Sequence, residues 1–80
     1  MDDLKKLRNT IDEIDQKIML LLSKRFDVSI QVGEYKKQNN TPVLNSNRET
    51  EIINKIENFN HNKEILNVYK TLLKESKSLQ

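Results

Sequence analysis

Apolar residues recur at alternating spacings of three and four along the first half of the chain. Leu4, Leu7, Ile11, Ile14, Ile18, Leu21, Val28, Val32 and Tyr35 form the series, and only position 25 interrupts it. This is a heptad-like helical pattern; a strand would need a period of two. Asp2 or Asp3 can cap the helix, and neither Pro nor Gly occurs before Gly33, so the spacing predicts one helix from about Leu4 to about Lys37. At 1.5 Å per residue such a helix is roughly 50 Å long.

Gln38-Asn39-Asn40-Thr41-Pro42 is polar, ends in the only proline and reads as a loop. Ser46-Asn47-Arg48-Glu49 fits a capping box, with Ser46 as N-cap and Glu49 three residues on. Ile52, Ile53, Ile56 and Phe59 then mark a short amphipathic helix to about residue 58. After a second break, Asn58 to Asn62, Asn62 can cap a third helix carrying Ile65, Leu66, Tyr69, Leu72, Leu73 and Leu79. The expected fold is all-α, a single domain over residues 1–80 with a long, a short and a medium helix.

The length of the first helix carries a consequence. Eighty residues packed as a globule have a radius of gyration near 12 Å. The forty or so residues outside the helix cannot cover an apolar seam of about 50 Å. A second copy related by a two-fold axis is the simplest cover, so a two-fold homodimer is expected. A frayed end or a bent helical hairpin is the alternative.

Composition narrows the chemistry. With Cys 0 and His 1 there is no disulfide framework, thiolate metal site or His cluster. One Gly excludes phosphate-cradling loops, which need several. The longest apolar run, Ile18 to Leu22, is far short of the ~20 residues of a membrane span. The acidic start lacks the apolar core of a signal peptide, which points to a cytoplasmic protein. A net charge of +2, with acids interleaved among the bases, argues against a nucleic-acid partner. The eleven Lys outnumber three Arg, and ten Asn, eight Ile and no Ala suggest a bias of base composition. Positions that still hold Arg, namely Arg8, Arg25 and Arg48, are then candidates for a planar bidentate cation.

Arg25 falls in the apolar seam between Leu21 and Val28. A buried guanidinium needs an anion. A buried Arg–Glu pair, a register-setting residue at a dimer seam and an anionic ligand in the bundle all satisfy that need. Lys36, eleven residues on, returns to within about 20° of the same helix face and lies about 16 Å along the axis, so both cations can converge on a small dianion. A solvated lysine near a helix C-terminus is the plain alternative. Arg8 is seventeen residues before Arg25, about 25 Å along the axis. It is a surface arginine or it serves the site of a second protomer. Ser76 and Gln80 continue the apolar face of the third helix as neutral hydrogen-bonding groups, or belong to a frayed end. Glu49 suits a helix N-terminus, whereas Arg48 there calls for an anion or carboxylate.

Taken in order, these residues resemble the all-helical class of chorismate mutases. The resemblance spans nearly the whole chain and rests on Leu7-Arg8, Ile11-Asp12-x-Ile14-Asp15, Leu20-Leu21-Leu22, Arg25, Val32-Gly33-x-x-Lys36, Pro42-Val43, Arg48-Glu49 and Ser76-x-x-x-Gln80. It implies an intertwined dimer that rearranges chorismate to prephenate, with no metal and no cofactor, in the biosynthesis of phenylalanine and tyrosine. It further implies that Arg25 binds a substrate carboxylate and that Arg8 acts across the dimer. Lys36 and Gln80 would meet the ether oxygen, Glu49 the ring hydroxyl, and Arg48 and Ser76 further parts of the substrate. Where familiar members carry an acid three residues before the Arg48 position, this chain has Asn45, whose amide can still meet a hydroxyl. The segment from Asn58 to Asn62 is shorter than in those members. An isochorismate-pyruvate lyase has the same fold and similar cations. A helical dimerisation or regulatory module would explain the seam and Arg25 but leaves Lys36, Glu49 and Gln80 without a role.

Overall fold

The computed structural model describes residues 2–40, 42 and 46–80. Three helices make up the described residues: α1 (Asp2–Gln38), α2 (Ser46–Ile56) and α3 (Asn62–Leu79). No strand occurs among them. The sustained periodicity of the first segment becomes a single helix of 37 residues, with Asp2 and Asp3 in its first turn and Lys36 and Lys37 in its last, each favourable to the helix dipole. It ends where Asn40 turns left-handed (φ 54°), while the Asn39 N–H and side-chain amide both donate to the Tyr35 carbonyl, at 3.1 and 2.8 Å.

Helix α2 is shorter than the apolar spacing implies. It stops at Ile56, and the N–H groups of Asn58 and Phe59 close tight turns onto the carbonyls of Lys55 and Ile56. Phe59 therefore falls outside the helix and is exposed. Ser46 is the first residue of α2, and its carbonyl accepts from the Thr50 hydroxyl at 2.9 Å. The start of α3 also differs from expectation. His61, not Asn62, is the cap, in a left-handed conformation (φ 60°) with no side-chain capping bond. The Asn62 side chain instead reaches back to the Glu57 carbonyl, at 3.5 Å. The left-handed residue turns the chain so sharply that Asn62 is already helical, and the sequence signal for a cap is shifted by one position.

Three cross-links set the helix directions. Arg25 meets Ser76 and Lys36 meets Gln80, so α3 runs alongside α1 in the same sense. Glu49 meets Lys77, and Ile52, Ile56 and Phe59 lie beside Ile65 and Tyr69, so α2 runs back against α3. Only the C-terminal half of α1 is used in this packing. From Asp2 to Lys17 every residue except Asp15 is exposed.

The molecule is accordingly elongated, 57 × 24 × 15 Å, with a radius of gyration of 16.1 Å against about 12 Å for a globule of this length. Among the described residues the buried hydrophobic ones are Ile56 and Leu72. The α1 stripe stays in the open, with Leu7 64%, Ile11 54%, Ile14 50% and Leu21 63% exposed. So small a core and so long an uncovered stripe are what the length of α1 dictated. No helix among the described residues is long and apolar enough to cross a membrane.

Candidate active site

Where the three helices meet, they enclose a cavity of about 380 Å3. That is within the usual size of a small-molecule site, about 300–1,000 Å3. Helix α1 contributes Arg25, Val28, Ser29, Val32 and Lys36; α2 contributes Arg48, Glu49 and Ile52; α3 contributes Leu73, Ser76 and Lys77, with Gln80 at its C-cap. Four cations and one carboxylate thus face one cavity, beside an apolar wall of Val28, Val32, Ile52 and Leu73. The charge suits a small dianion with an apolar body.

Arg25 is partly buried, and its guanidinium donates to the Ser76 hydroxyl. Among the described residues no carboxylate pairs with it. A neutral hydroxyl orients the guanidinium and leaves its charge uncompensated. The buried Arg–Glu pair is therefore not what this position holds. Ser76 is buried in turn, and the Ser29 hydroxyl one turn beyond Arg25 donates back to the Arg25 carbonyl at 3.0 Å.

The end of α3 is held in place. The Gln80 backbone N–H donates to the Lys77 carbonyl at 3.1 Å, and its side-chain oxygen accepts from Lys36 Nζ, also at 3.1 Å. With Oε1 accepting from the ammonium, the Gln80 amide nitrogen keeps two N–H donors, and the residue lines the cavity. Gly33 makes this approach possible, as a Cβ there would lie 2.7 Å from the Gln80 Cα and carbonyl oxygen.

Glu49 presents a different kind of group. Its Oε1 accepts from Lys77 Nζ at 3.3 Å, while Oε2 is buried without a hydrogen-bond donor among the described residues. Such an acceptor costs about 1–3 kcal/mol until a donor arrives. Arg48 finds the carboxylate its position demanded in Glu51, at 3.1 Å on the exposed side of α2. Arg8 is exposed on the projecting half of α1, outside the cavity of its own chain. Asn45 lies outside the described residues.

The structure thus brings Arg25, Lys36, Arg48, Glu49, Ser76 and Gln80 to one cavity and leaves Arg8 apart. The sequence reading missed Lys77 and Ser29. Lys77 is one residue past the apolar stripe of α3, and only the antiparallel docking of α2 brings Glu49 to it. Ser29 carried a fainter signal, a small polar residue one turn from Arg25.

Comparison with known proteins bears on this arrangement. The family profile chorismate mutase type II matches residues 7–80. The chain is 31% identical to the chorismate mutase of Methanocaldococcus jannaschii, an alignment covering all of this chain and 86% of that protein. It is 42% identical over 60 residues to the bifunctional chorismate mutase/prephenate dehydratase of Aquifex aeolicus, covering 75% of this chain but 17% of that protein. It is 39% identical over 49 residues to the T-protein of Haemophilus influenzae, covering 61% of this chain and 13% of the relative. No solved structure matches.

Proposed function

Because the chain belongs to the chorismate mutase type II family, we propose that the cavity between its helices binds chorismate and rearranges it to prephenate. In this reaction the ether carbon–oxygen bond breaks as a carbon–carbon bond forms, and the enol ether becomes a ketone. The step is unimolecular, so no nucleophile has to be activated. A protein accelerates it by holding the flexible dianion in its reactive chair and by stabilising the negative charge that grows on the ether oxygen.

The observation that carries the reading is the Lys36–Gln80 pair. Lys36 Nζ donates to Gln80 Oε1 at 3.1 Å, which sets an ammonium and an amide side by side on the cavity wall. In this assignment they meet the ether oxygen. Arg25, held by Ser76, takes one carboxylate, and Arg48 lines the approach to the site. The unpartnered Glu49 Oε2 accepts from the ring hydroxyl. Asn45 takes a hydroxyl contact made by an acid in other members. The apolar wall receives the ring.

The same reading includes a cytoplasmic homodimer with two shared sites. The exposed α1 stripe supports it, and so does the position of Arg8, about 25 Å along the helix from Arg25. A second protomer laid against that stripe would bring the partner's Arg8 to the second carboxylate. The test is direct: purified chain is mixed with chorismate, and loss of chorismate absorbance is followed with prephenate as product. Release of pyruvate from isochorismate, with chorismate left unchanged, would favour the lyase of the same fold. Failure with both substrates would leave a dimerisation or regulatory module.

A further inference from the structure

Resting on that assignment of the cavity, we propose that Lys77 is a positioning residue that selects for the substrate's ring hydroxyl by holding Glu49. Two observations meet on one carboxylate. Lys77 Nζ lies 3.3 Å from Oε1, and the other oxygen, Oε2, is buried with no donor among the described residues. An Asp or Glu carboxylate has about four acceptor positions, and an isolated glutamate near a helix N-terminus would turn both oxygens to solvent or to backbone N–H groups. Here the lysine fixes which oxygen faces out and which faces in.

Stability does not account for the pair. Its side chains are 42% and 26% exposed, and an ion pair so placed contributes about 0–1 kcal/mol. What the pair does is orient: it holds the side-chain rotamer in which Oε2 enters the cavity wall. The group that satisfies Oε2 must be a donor, compact and neutral, since a cation is already present beside it. A hydroxyl fits. An analogue without that hydroxyl leaves Oε2 buried and unpaired, which is how a polar site rejects such a compound. Lys77 is also one residue from Ser76 and three from Gln80, so the last turn of α3 and its C-cap carry the carboxylate-side, hydroxyl-side and ether-side functions together.

The experiment is a double-mutant cycle on chorismate turnover with Lys77→Met, Lys77→Arg, Glu49→Ala and Glu49→Ala/Lys77→Met. The hydroxyl contact is made before and during reaction, so Lys77→Met should raise KM about two- to fivefold and leave kcat nearly unchanged. Lys77→Arg should restore most of the difference. In the Glu49→Ala background the loss of Lys77 should change little, because the group it holds is gone. Equal effects of Lys77→Met in both backgrounds would overturn the proposal and make Lys77 a direct contact to substrate. No effect of Lys77→Met on KM would overturn it too. A parent chain without activity on chorismate would overturn the assignment of the cavity itself, and this inference with it.

Discussion

Gly33 in α1 lies so close to Gln80 at the end of α3 that any Cβ would be 2.7 Å from the Gln80 Cα and carbonyl oxygen. The obstacle is backbone, not a flexible tip. Gly33→Ala must therefore push the end of α3 away from α1 and draw Gln80 off Lys36. Loss of one preorganised donor to a developing oxyanion reduces rates by about 10²–10³ at the upper end, so a fall of tenfold or more in kcat is expected. Far-ultraviolet circular dichroism should hardly change, as alanine favours the helix itself. Full activity in Gly33→Ala would mean that the Gln80 position does not matter.

Gln80→Glu tests the donor directly. Gln donates at any ordinary pH, whereas a glutamate can donate only when protonated. A free Glu titrates near 4.3, and the adjacent Lys36 ammonium favours its charged form. Activity should be low at neutral pH and recover as pH falls, with the parent nearly flat over the same range. Circular dichroism at each pH separates recovery from acid unfolding. Full activity at pH 8, or no gain in acid while the protein is still folded, would remove Gln80 from the reaction.

Arg25→Ala should reduce kcat/KM by about 10- to 200-fold through loss of a charge-assisted contact of about 1.5–3 kcal/mol. Its thermal stability without ligand should stay close to that of the parent, because its observed partner is the Ser76 hydroxyl and not a carboxylate that would be stranded in the core. A large fall in melting temperature would show that Arg25 is needed chiefly for folding.

Dimerisation is tested by light scattering or sedimentation at micromolar concentration. The exposed stripe from Leu4 to Tyr35 predicts about twice the chain mass of 9.5 kDa. An active, folded monomer would contradict both the covering of that stripe and the shared role of Arg8.

How much of this could be read from the residues varied with the range of the interaction. Helix α1 was legible because its apolar period is sustained over more than thirty residues, and Arg25 stood out as the one break in it. Lys36 followed from Arg25 by helical geometry alone. The turn near Asn58–Asn62 was placed, but its cap was not, since the left-handed His61 has no strong sequence signal. Phe59 continued the α2 stripe in spacing and yet fell beyond the helix, where local turn bonds ended it early. Gln80 could not be told from a frayed terminus until Lys36 was seen to hold it. Gly33 and Lys77 acquire their meaning only from another helix, a backbone contact in one case and a carboxylate in the other. A single helix's periodicity contains neither.

At the centre of the account is a chorismate site built from two chains, and subunit exchange tests it most directly. Arg8→Ala and Arg25→Ala chains, each expected to retain about a tenth of the parent activity or less, are mixed in equal amounts and allowed to exchange. In every heterodimer one site has both arginines and the other has neither. Random pairing makes half the dimers mixed, so activity on chorismate should rise to about a quarter of the parent value per chain. Activity that stays at the level of the separate variants, with exchange confirmed by mass, would contradict the shared site.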